Sequence, residues 1–112
     1  NWVDGRVALL GDAAHPMLQY FALGACMAME DVVSLSHRWR TETDLDKALA
    51  LYLEDRMVRT SRVVIDSSLI GDHIYHPSGA AASVRNSVMR SFSPEDWYDR
   101  LEWLYQGGKP EA

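Results

Sequence analysis

Gly5-Arg6-Val7-Ala8-Leu9-Leu10-Gly11-Asp12-Ala13-Ala14-His15-Pro16-Met17-Leu18 is the stretch on which the fold turns. Val7 to Leu10 is a short apolar run between two glycines. It is too short for a helix and is bounded by turn formers, so it predicts a buried strand. A lone strand leaves its backbone N–H and C=O groups unpaired. No other stretch of the chain reads as a strand, so the expected sheet partner lies outside these residues. At the carboxyl end of the strand, Gly11 lets the backbone turn and Asp12 is presented. Ligands bind at that end of the strands in α/β sheets. An ionised carboxylate only accepts hydrogen bonds, so its natural partner is a hydroxyl-bearing ligand such as a ribose or ribityl chain.

Downstream, the loop from Gly11 to Leu23 gives way at Gly24 to helix formers, Ala25, Met27, Ala28, Met29 and Glu30, and a helix is predicted to about Trp39. The small residues Gly24 and Ala25 at its start let a ligand ring approach the backbone. The free N–H groups and dipole of a helix N-terminus favour negative charge there. After a polar break at Thr41 to Thr43, Thr43 or Asp44 is placed to cap a second helix. Leu45, Leu49, Tyr52 and Leu53 keep helical spacing, and the helix is predicted to reach Ile70 or beyond, with Gly71 as its interruption. Pro77-Ser78-Gly79 marks a break before a short helix running through Met89. Ser93-Pro94-Glu95-Asp96 is a helix start: a capping serine, proline at the first helical position, then acids. Trp97, Leu101 and Leu104 share one face of that helix. Gly107-Gly108 is expected to end it, with a frayed tail from Lys109 to Ala112. The fold class is therefore an α-rich fragment, one short strand then three to four helices, of a larger α/β protein.

The chain has 112 residues, 47% hydrophobic and 24% charged, an ordinary globular balance that excludes a disordered composition. A formal net charge of −5 argues against a nucleic-acid binder. The nearest thing to a basic cluster, Arg56, Arg59 and Arg62, is interrupted by acids and reads as a solvated or pairing helix face. No apolar run is long enough to span a bilayer. The single cysteine, Cys26, excludes an intrachain disulfide and suits a reducing cytoplasm. The first residue is Asn1 rather than methionine, so a processed or truncated chain is expected.

The ordered run GDAAHPM, a short loop and GACMAMED resembles the second flavin motif of class A FAD-dependent monooxygenases, the group that includes salicylate and hydroxybenzoate hydroxylases. The resemblance implies the C-terminal part of an α/β FAD-dependent hydroxylase fold. Residues 1–40 would carry the flavin motif and 41–112 a helical region, with the N-terminal dinucleotide-binding and substrate portions absent. Asp12 would hold the ribityl hydroxyls of FAD, with Gly11 beside it in the cofactor site. Gly24, Ala25 and Cys26 would lie by the pyrimidine end of the isoalloxazine, where a helix N-terminus suits the anion of the reduced ring. Gln19 stands where many relatives have proline, and Cys26 where they have an amide side chain. Leu18-Gln19-Tyr20 and the tail, including His73-Ile74-Tyr75-His76, Trp97-Tyr98 and Leu101 to Tyr105, resemble the 3-hydroxybenzoate 6-hydroxylase branch. There Gln19 would face the substrate phenol, able both to accept and to donate a hydrogen bond. The activity so implied uses NADH or NADPH and oxygen, through a flavin hydroperoxide, to hydroxylate a phenolic acid, 3-hydroxybenzoate to gentisate before salicylate. The chain lacks a G-x-G-x-x-G fingerprint, so these residues alone are expected to be inactive.

Simpler roles compete at several positions. His15 reads as a structural residue bonding the loop backbone. The spacings of Asp12 with His15 and of His73 with His76 lack a third ligand, so no metal site is expected. Cys26 reads as a small packed residue near the flavin rather than a nucleophile, and Met27 and Met29 as core. Trp97, Trp103 and Tyr105 read as packing against the rest of an enzyme or a second subunit, so self-association or a homodimer is expected. The alternative from a different class is a catalytically inert helical module that associates through its exposed core face.

Overall fold

The computed structural model describes residues 1–106; the expected Gly107-Gly108 stop and the tail beyond it lie outside the described residues. The short apolar run does not stand alone. Val3–Asp4 (β1) and Val7–Ala8 (β2) form an antiparallel pair in which Val3 faces Ala8 and Asp4 faces Val7. Gly5 makes the tight turn possible with φ of 54°, a conformation that side chains disfavour. The Leu9 N–H extends the pairing to the Trp2 carbonyl at 2.8 Å. The strand is thus shorter than Val7 to Leu10 and finds a first partner within the chain. It is not buried: Val7 and Leu9 are exposed.

Among the described residues four helices follow: α1 (Gly24–Thr41), α2 (Leu45–Ile70), α3 (Gly79–Ser91) and α4 (Pro94–Tyr105). Asp44 caps α2 by accepting from the Asp46 N–H at 2.9 Å. Its 26 residues make a rod about 39 Å long. The buried positions Leu49, Tyr52, Arg56, Thr60, Val63 and Ser67 step by three or four along one face, the spacing of a stripe packed on a neighbour. That neighbour is α1, antiparallel to it across the short connection. After Ile70 the backbone hydrogen bonding widens into a π-helical turn over Gly71–Tyr75. Ser93 caps α4 in a reciprocal capping box with Asp96, with Pro94 at the start, as its four-residue signature predicts.

The core is small. Met27 from α1, Val63 from α2 and Leu104 from α4 meet, with Met17, Phe21, Leu23, Leu101 and Trp103 packed around them. Ala48, Leu49 and Tyr52 are also buried. Of the two methionines expected in the core, Met27 is fully buried but Met29 is 61% exposed. Two residues along a helix is a rotation of about 200°, so the two cannot share a face. The α3 helix buries none of its side chains. The radius of gyration is 17.3 Å, against about 13 Å for a compact domain of this length. Val58, Ile65, Val84, Tyr98 and Tyr105 are exposed. This is the anatomy of helices that present apolar surface outward.

Candidate functional site

The candidate site is built from the loop after β2 and the start of α1. Gly11 takes φ of +55°, and a Cβ there would lie 3.2 Å from the Ala28 Cβ. Both the backbone conformation and the close approach to α1 therefore call for glycine. Asp12 follows in a single 3-10 turn, Gly11–Ala13, and is exposed. Its Oδ1 lies 3.8 Å from where a Cβ on Gly24 would stand. The chain thus brings the acceptor carboxylate against the first residue of α1. No side chain caps that helix, and its first turn carries no acid. Its leading N–H groups are the orphan donors that every helix start leaves. Ala25 and Cys26 are exposed beside them; Cys26 is a free thiol at the surface, not the packed residue expected.

Gln19 lies in a second 3-10 turn, Gln19–Phe21, and is exposed. Ala22 closes the turn with φ of 55°, a left-handed conformation that costs a non-glycine residue about 1–2 kcal/mol. The turn is held by its neighbour Tyr20. The Tyr20 ring stacks on Tyr75 with centroids 4.8 Å apart, and its hydroxyl lies 2.6 Å from His76 Nε2. The ring also covers Gly71, where a Cβ would come within 2.5 Å of Tyr20 Cε2. Two of the tail residues singled out in sequence, Tyr75 and His76, therefore anchor the loop that carries Gln19. His73 is exposed. Among the described residues, no group of three His, Cys, Asp or Glu side chains is placed to hold a metal ion.

Beneath the loop lies a buried ionic network that sequence reasoning missed. Asp31 is fully buried. Its Oδ2 accepts from the Gly11 N–H at 2.9 Å and lies 2.6 Å from His15 Nε2, while its Oδ1 accepts from Arg56 Nε at 2.7 Å. His15 is structural, as expected, but it bonds this carboxylate rather than the loop backbone. Its Nδ1 is buried with no hydrogen-bond partner among the described residues. Arg56 also donates to Glu30 Oε2 at 2.7 Å. Arg59 grips both Glu30 oxygens and donates to the Trp103 and Leu104 carbonyls at the end of α4. Burial by itself pushes the Glu30 carboxyl up, but hydrogen bonds from Arg59 and Arg56 outweigh it and hold the group below its ordinary value. Of the expected pairing face, Arg56 is buried in pairs, Arg59 is paired, and Arg62 lies over the Trp103 ring at 3.6 Å.

A wide apolar cleft of about 950 Å³ opens beyond, between the end of α2, the π-helical turn, α3 and α4. Phe21, Leu69, Val88, Trp97, Leu101 and Tyr105 are among its lining. Arg85 closes one side through the Ile74 carbonyl.

Over 105 residues the chain is 50% identical to 3-hydroxybenzoate 6-hydroxylase 1 of Aquipseudomonas alcaligenes, matching 94% of this chain and 27% of that protein. It is 50% identical over 106 residues to the 3-hydroxybenzoate 6-hydroxylase of Polaromonas naphthalenivorans, 26% of whose length it covers. The chain is homologous to about a quarter of these aromatic hydroxylases. The Aurachin C monooxygenase/isomerase of Stigmatella aurantiaca is 40% identical over 95 residues, a quarter of that protein. No family model matches the chain. Among the described residues, no helix is long and apolar enough to cross a membrane.

Proposed function

We propose that the chain is the C-terminal part of a cytoplasmic FAD-dependent aromatic-ring monooxygenase that converts 3-hydroxybenzoate to gentisate. The observation that carries this reading is the meeting of the exposed Asp12 carboxylate with the uncapped start of α1 at Gly24. An acceptor-only carboxylate suits the hydroxyls of a ribityl chain. Unused N–H donors on a glycine-opened helix suit the polar, electron-rich edge of a flavin ring. The donor set fits the group, and the half-identity to proteins named 3-hydroxybenzoate 6-hydroxylase supports the substrate.

Bound there, FAD supplies the redox chemistry by which NAD(P)H and oxygen yield one hydroxyl on the ring and one water. The residues of this chain bind and orient. Asp12 accepts from the ribityl hydroxyls, and Gly11 keeps the backbone clear for its approach. Gly24, Ala25 and Cys26 hold negative charge at the helix start. Gln19, exposed on a turn pinned by Tyr20, accepts from the substrate phenol and polarises its O–H. The substrate carboxylate and the proton acceptor need residues beyond these. Salicylate is the runner-up substrate.

The test is expression with the upstream coding sequence. The reading expects a yellow protein with stoichiometric flavin, and loss of that flavin in Asp12→Ala. A full-length protein that neither retains nor binds FAD overturns it. The exposed apolar side chains of α2, α3 and α4 support a second reading, self-association of the chain, with or without the enzyme half.

A further inference from the structure

We infer that Asp31, buried beneath the flavin site and in contact with it only through the Gly11 backbone, is the positioning residue that fixes the loop of Asp12 against the start of α1. The inference rests on the flavin reading above and adds the device that makes that site rigid. Asp31 sits on α1 itself, about two helical turns beyond Gly24. One helix therefore determines both halves of the site: its first turn directly, and the loop through the Asp31 carboxylate. Two of the three donors to that carboxylate, the Gly11 N–H and His15 Nε2, come from the loop and bracket Asp12 along the chain. The third, Arg56 Nε, comes from α2 and supplies the countercharge in a site where Asp31 is 0% and Arg56 3% exposed.

Stability alone is a poor reason for this arrangement. A buried ion pair roughly breaks even against well-packed apolar side chains, and its best-attested use is to fix one arrangement over others. Here the arrangement fixed is a left-handed Gly11, which loop chemistry by itself leaves free to move. A carboxylate is required because all three neighbours donate. In Asp31→Asn, of nearly the same size, one carboxylate oxygen becomes an NH₂. With the NH₂ toward the loop, His15 can change tautomer to accept from it but the Gly11 N–H cannot; with the NH₂ toward Arg56, the Nε–H loses its acceptor and the loop keeps only the weaker bonds of a neutral oxygen, so either way the tether is loosened.

The experiment measures FAD affinity by fluorescence quenching, and thermal stability of the apoprotein, in the full-length chain. Four forms are compared: wild type, Asp31→Asn, Glu30→Gln and Asp12→Ala. Glu30→Gln weakens the same network on the side away from the loop, between Arg56 and Arg59. The expected result is FAD binding weaker by roughly ten-fold or more in Asp31→Asn, the weight of one buried hydrogen bond. Glu30→Gln is expected to lose thermal stability yet keep the wild-type FAD affinity. Asp31→Asn binding FAD like wild type while Asp12→Ala does not overturns the positioning role and leaves the flavin site standing. Wild-type affinity in Asp12→Ala overturns the flavin reading and this inference with it. Parallel losses of affinity in Asp31→Asn and Glu30→Gln show a structural role only and also overturn it. If Asp31→Asn fails to fold, His15→Ala decides: it cuts one loop tether, spares the Arg56 pair, and is expected to weaken FAD binding, with unchanged affinity again overturning the inference.

Discussion

Two side chains show how single atoms hold this loop-and-helix arrangement. Gly71 is a glycine because of Tyr20: a Cβ would sit 2.5 Å from a ring that is itself pinned by Tyr75 and His76. Gly71→Ala gains about 1 kcal/mol of helix propensity but forces that ring out, an overpacking cost of about 1–3 kcal/mol. A net loss of stability is expected in thermal denaturation, and it should vanish in the Tyr20→Ala background; a stabilised single variant contradicts the contact. Tyr52 is fully buried and donates to the Leu9 carbonyl at 2.9 Å. Burial, then the charge of Asp31, push its hydroxyl up to about 12 from an ordinary value of 10.0. The unfolded chain thus releases this proton first. The contribution of Tyr52 is complete below pH 10 and is lost as pH rises towards about 12. Stability measured across that window should fall more steeply for wild type than for Tyr52→Phe, and equal slopes would rule out the assigned burial.

At the scale of elements, what was readable in sequence was local. Ser93-Pro94-Glu95-Asp96 names its own helix start, and both halves of the capping box are present. Removing the Ser93 hydroxyl in Ser93→Ala should cost about 1 kcal/mol and speed amide exchange in the first turn of α4; unchanged exchange would mean the cap is idle. Asp44 and the extent of α2 were equally legible. The ionic layer was not, because it pairs residues from separate elements. By charge Arg56 groups with Arg59 and Arg62, whereas its position on the stripe of Leu49, Tyr52, Thr60 and Val63 marks it as buried. A cation on an apolar stripe calls for a buried acid, and Asp31, one turn beyond Met27, was the available one. The hairpin was missed for the opposite reason: strands of two residues carry too little alternation to register. The run of small residues proposed as a flavin motif stands out in the sequence by its order, and the structure adds that Asp12 and Gly24 meet.

For the whole molecule, the feature that matters is how little of it is core. Among the described residues, six apolar ones are buried, while sixteen large ones are exposed. Arg59 ties the end of α4 to Glu30 on α1, but α3 lies on the rim of an open cleft with nothing buried. Such a surface predicts association of the isolated chain. Light scattering across a dilution series should show mass rising with concentration, and a strict monomer at high concentration would show that the apolar faces are not adhesive.

Whether these residues complete an aromatic hydroxylase, as proposed, is decided by turnover of the whole protein. The full-length protein carrying this chain, loaded with FAD, is given NADH or NADPH, oxygen and 3-hydroxybenzoate, and the products are identified. Pyridine-nucleotide oxidation is expected to accelerate with 3-hydroxybenzoate and to yield gentisate, with product formation reduced in Gln19→Ala. Oxidation indifferent to 3-hydroxybenzoate, with no hydroxylated product, would contradict it.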